Sequence, residues 1–66
     1  MIFKDALAQA SRMAVKRNIE IYVVYNGHGY MPCTESQIAE HMASGRKIVG
    51  VADPCGESIG DVIVNN

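Results

Sequence analysis

Between Phe3 and Ala14 the apolar residues Phe3, Ala6, Leu7, Ala10, Met13 and Ala14 recur at intervals of three and four. That period lays them along one stripe of an α-helix. Lys16 and Arg17 suit the negative C-terminal end of the helix dipole, and Asn18 is the expected stop. The period then changes. IEIYVVY, residues 19–25, is rich in β-branched and aromatic side chains and predicts a strand. Asn26-Gly27 follows, the dipeptide suited to the positive φ angles of a two-residue type I′ turn. Such a turn sets Tyr25 opposite His28, Val23 opposite Tyr30 and Tyr22 opposite Met31. Pro32 has no N–H for a ladder, so the returning strand is expected to be short and at an edge.

Thr34 and Gln37 have the spacing of a capping box, with Cys33 and Ile38 at the two positions of a hydrophobic staple around it. A second helix should therefore start here, with Ile38, Ala39, Met42 and Ala43 as its apolar stripe and Gly45 as its left-handed end. KIVGVA, residues 47–52, reads as a third strand, D-P-C-G as a type I turn, and DVIV, residues 61–64, as a fourth strand. The order is α-β-β-α-β-β. It predicts an α+β two-layer sandwich in a single domain spanning residues 1–66, with two helices on one face of a mostly antiparallel four-stranded sheet. As topology, this is a circular permutation of the βαββαβ order.

The same pattern predicts an excess of apolar surface. Successive strand residues point to opposite faces, so Ile19, Ile21, Val23 and Tyr25 share one side and Tyr22 and Val24 the other. In the third strand Ile48 and Ala52 oppose Val49 and Val51. Two helices on one face would leave Tyr22, Val24, Met31, Val49 and Val51 on the other, where an antiparallel sheet normally carries polar residues. This set is the expected interface with a second copy or another protein. Two clues conflict over which face is the core. The aliphatic set Ile19, Ile21 and Val23 looks internal, yet the staple at Cys33 draws the face of Tyr22 and Met31 toward the second helix. The aliphatic set is taken as the core.

Composition narrows the function more than it identifies it. A chain of 66 residues buries only roughly 60% of the surface it exposes when unfolded, too little for a large internal catalytic cavity. Apolar content of 48% marks a globular chain, and a net charge of −1 gives no overall pull toward nucleic acid or membrane. The longest uninterrupted apolar run, IYVVY, is far short of the ~20 residues of a membrane span, and the N-terminus lacks the pattern of a signal peptide. A cytoplasmic protein with free thiols at Cys33 and Cys55 is expected.

Candidate chemistry is sparse. His28, Cys33, His41 and Cys55 include the residue types of a tetrahedral zinc site, but no two lie at the close spacing such sites use. Cys55 with a histidine and Asp53 would be needed for a thiol nucleophile, and no local pattern joins them. Gly27 and Gly29 belong to a turn rather than a phosphate loop, since Pro32 stands where a third glycine would. Asp53, Glu57 and Asp61 form an acidic loop without the calcium-loop pattern, and Arg12, Lys16, Arg17, Arg46 and Lys47 are the members of a basic patch if folding joins them. No cofactor and no catalysis are expected. The leading expectation is a small non-enzymatic interaction protein, acting by covering a surface on a partner or on a second copy. Small stand-alone domains of phages and mobile elements, including anti-CRISPR-like inhibitors, share this profile, and the acidic loop would then cover a basic site on the target. The alternatives are a nucleic-acid-binding module built on the basic residues and a zinc- or thiol-dependent site.

Overall fold

In a computed structural model of the chain, residues 2–55 and 58–59 are described. They form α1 (Phe3–Arg17), β1 (Ile21–Tyr25), β2 (Tyr30–Thr34), α2 (Glu35–Ala43) and β3 (Lys47–Ala52), with Ser58–Ile59 as a two-residue β4. The sheet is antiparallel in the order β2-β1-β3, and β4 pairs only with Val51 and Ala52 on the far side of β3. The chain is therefore a small α+β fold of two helices on an antiparallel sheet. DVIV, expected as the fourth strand, lies outside the described residues. Among the described residues no helix is long and apolar enough to cross a membrane.

α1 follows its sequence pattern closely. Ala6, Ala10 and Ala14, spaced by four, are fully buried against Ile21, Val23, Val49 and Ala52, with Phe3, Leu7, Met13 and Tyr30 packed around them. Methyl side chains along the contact stripe let the helix backbone approach the sheet. Asn18 ends the helix in the left-handed region, φ 58°, and the N–H groups of Asn18 and Ile19 both return to the Ala14 carbonyl. That cap claims Ile19, which leaves the strand and is 42% exposed instead of joining the core.

The hairpin differs from the type I′ expectation by one position. Tyr25 pairs with Tyr30, Val23 with Pro32 and Tyr22 with Cys33, so the turn is centred on Gly27-His28. A type I′ turn on Asn26-Gly27 requires positive φ at both residues, yet Asn18 is the one described non-glycine residue with positive φ, while Gly27 sits at 95°. Asn26 instead uses its side chain: Oδ1 accepts the N–H groups of His28 and Gly29, each at 2.9 Å. Its own N–H donates to the Gly29 carbonyl at 3.1 Å and closes the ladder. Moving the turn by one residue shifts each pairing by two, so every side chain keeps its expected face.

β3 carries a bulge. Val23 pairs with Gly50 but Val24 pairs with Ile48, leaving Val49 as the extra residue. The bulge turns Val49 into the α1 core, where it is buried, against its expected place on the outer face. Ile48 moves the other way, to the face of Val24.

The expectation that both helices lie on one face is also corrected. Val24 and Cys33 are buried, yet they stand outside the α1 cluster, on the side that pairing shares among Tyr22, Val24, Met31 and Cys33. α2, which packs on β1 and β2, is the described element covering that side. The two conflicting clues in the sequence were both valid: α1 covers the aliphatic face and α2 the face of the staple cysteine. Full burial of a residue such as Val24 is worth ~1.5–3 kcal/mol, so each face contributes to stability.

α2 begins as its capping box requires, with Gln37 Oε1 accepting the Thr34 N–H at 2.9 Å. It ends in a Schellman motif, where Gly45 N–H donates to the Met42 carbonyl and Arg46 N–H to that of His41. Its expected apolar stripe is mostly misplaced. Ala39, Met42 and Ala43 are exposed, and Ile38 and His41 are the half-buried members. Ile38 and His41, three apart, mark the inward face of this short helix, and Met42 lies at its exposed margin.

Candidate functional site

At one end of the sheet the β1–β2 turn stands beside the α2–β3 turn. Between them lies a cleft of about 400 Å³ lined by Tyr25, Asn26, Gly27, Ser44, Gly45, Arg46 and Lys47. Tyr25 closes β1, and its position is fixed from two directions. Its hydroxyl donates to the Gly27 carbonyl at 3.2 Å, and its ring lies 4.9 Å from that of Tyr30, which meets Phe3 edge-on. The residue is nonetheless 38% exposed. On the opposite wall, Arg46 Nη1 stands 2.8 Å from His41 Nδ1. A guanidinium has only donors, so in this pair Nδ1 of His41 is the acceptor. Lys47 is exposed beside it, and among the described residues no carboxylate lines the cleft. Gly27 and Gly45 have positive φ, 95° and 81°, and the space where each would carry a Cβ is open. The arrangement offers a fixed aromatic face and two cations.

A second cleft, of about 550 Å³, is lined by Ile19, Glu20, Thr34, Glu35 and Ser36 at the other end of β1. Glu20, Thr34 and Ser36 in its lining already hold hydrogen bonds. The Tyr22 hydroxyl donates to Glu20 Oε1 at 3.1 Å, and partial burial, that hydrogen bond and the charges of Glu20 and Glu35 raise its pKa. Thr34 Oγ1 donates to Gln37 Oε1 at 3.2 Å and lies 2.9 Å from Ser36 Oγ. Among the described residues neither the Thr34 nor the Ser36 hydroxyl is hydrogen-bonded to a base of the kind a nucleophile needs.

The residues singled out from sequence are dispersed. Of the expected interface, Val24 and Val49 are buried on opposite faces, while Tyr22, Met31 and Val51 remain half-buried. Asp53 Oδ1 accepts the Cys55 N–H at 2.9 Å, and Glu57 and Asp61 lie outside the described residues. Arg12, Lys16 and Arg17 are exposed on α1, whose C-terminus leads into Ile21. Arg46 and Lys47 lie at the Tyr25 end of the same strand, ~13 Å away along it, so the basic residues form two groups rather than one patch.

His28 is exposed on the hairpin turn, Cys33 is buried under α2, His41 faces Arg46 and Cys55 follows β3. Among the described residues no three histidine, cysteine, aspartate or glutamate side chains are grouped as metal ligands. Burial raises the pKa of the Cys33 thiol. Sequence reasoning did not find Tyr25 as a site residue. Its signal was an aromatic at a strand end beside a glycine turn, which becomes informative only once the second turn is known to lie alongside.

No family model, curated protein or solved structure matches this chain. The class that the fold itself defines is a small α+β domain with a two-sided core.

Proposed function

We propose that the protein is a non-enzymatic interaction module that pairs with a second copy of itself through the outward stripe of α2, Ala39, Met42 and Ala43, together with Ile48 of β3. The carrying observation is that this stripe has core composition and helical spacing yet is exposed, with Met42 at 53% and Ile48 at 39%. Both lie on the α2 side of the sheet, where α2 packs on β1 and β2. A second copy is the favoured occupant because the stripe is self-complementary: Met42 stands between two alanines, a projection beside two recesses, as a two-fold helix contact uses. The near-neutral chain also offers little long-range repulsion between copies. Half-buried Tyr22, Met31 and Val51 on this face would extend the contact.

In this reading the paired domain acts by covering a surface on a target, as an inhibitor of a larger complex would. The test is sedimentation equilibrium of the full chain and of Met42→Glu and Ile48→Lys. Wild type should show twice the mass of one chain, with both variants shifted to monomer. A wild-type monomer across the micromolar range would overturn the proposal.

A further inference from the structure

We infer that the cleft between the two turns is a site for a nucleotide unit, its base resting on Tyr25 and its phosphate held by Arg46 and Lys47. Three features converge there. Tyr25 is exposed but immobilised by its bond to Gly27 and its contact with Tyr30, so a stacking ligand meets a ring already in place. Arg46 and Lys47 are adjacent on the other wall, and Arg46 is oriented by His41. Open space at Gly27 and Gly45 lets a ligand come close to the backbone on both sides. At about 400 Å³ the cleft suits one such unit rather than a large cofactor. The lining shares no residue with the proposed pairing stripe on α2, so either reading can fail alone.

The unit could come from a free nucleotide or from a single strand, and two probes separate these sources. The ¹⁵N-labelled full chain is titrated with adenosine monophosphate and with a ten-nucleotide oligothymidylate, following the amides of residues 26–29 and 44–47. Shifts with both probes identify a free nucleotide as sufficient, and shifts with the oligonucleotide alone identify a strand. Two phosphate contacts predict a salt slope of about −1.4, or roughly sevenfold weaker oligonucleotide binding between about 50 and 200 mM salt. Lys47→Glu and Tyr25→Leu should each weaken binding by about tenfold or more while keeping a dispersed spectrum. Absence of shifts with both probes at millimolar concentration, or unchanged binding in both variants, would overturn the site. Inorganic phosphate binding as tightly as adenosine monophosphate would overturn the nucleotide assignment.

Discussion

The two cysteines show how placement governs the chemistry of a single residue. Cys33 is buried on the α2 face and its thiol pKa is raised by loss of solvent, whereas Cys55 is exposed. Thiolate is the reactive form, so burial and the upward shift act together to protect Cys33. With a disulfide reagent at pH 8, one thiol should react promptly in the native chain and the second only on unfolding. Prompt reaction of both would show that α2 does not seal that face. From sequence alone the two cysteines were equivalent except for the staple position of Cys33. That position carried correct information about its surroundings, because staple residues are by nature enclosed.

At the scale of elements, β2 shows how an exposed sheet edge is blocked. The Asn26–Gly29 hydrogen bond makes those residues a closely bonded pair, and alternation then directs the backbone groups of Met31 and Cys33 toward β1. Residues 30, 32 and 34 face outward. Of these, Pro32 has no N–H and the Thr34 N–H is held by Gln37, so the capping box also closes the edge to strand addition. Pro32→Val combined with Gln37→Ala is expected to produce concentration-dependent species larger than those of wild type, visible by light scattering. An unchanged mass distribution would show that the edge is protected in another way.

Elements were the most legible level of the sequence. α1, the edge strand, the capping box and the Gly45 terminus follow from spacing and local chemistry, which need no partner. The hairpin register was not legible, because Asn26 and Gly27 permit more than one turn and the choice rests on where the Asn26 side chain bonds. The Val49 bulge was hidden for a related reason: strict alternation is the only guide along KIVGVA, and a bulge is the exception to it.

Across the whole molecule, the sheet is served by two unequal layers. α1 lies close on its alanines, while α2 buries no residue fully and leaves most of its apolar stripe in solvent. The same substitution should therefore cost far more stability on α1 than on α2. Ala10→Leu overfills the α1 contact and is expected to cost about 1–3 kcal/mol in urea unfolding. Ala39→Leu should change stability by less than about 0.5 kcal/mol. It should nevertheless weaken self-association by filling the recess beside Met42. Equal losses of stability would mean that α2 is as tightly packed as α1. The error in the expected layout arose at this scale. Each amphipathic stripe was read separately, and periodicity does not say which side of a sheet a helix takes.

The bulge in β3 bears on which insertions and deletions the chain could accept. Losing one residue from a regular strand inverts everything beyond it, because inside and outside alternate. Removing Val49 would instead join Gly50 to Ile48 in an unbroken ladder, with Ile48 still opposite Val24 and Lys47 still opposite Tyr25. The loss would be one core side chain, with the reading frame of faces intact. That position is therefore the place in β3 where chain length can vary without scrambling the sheet.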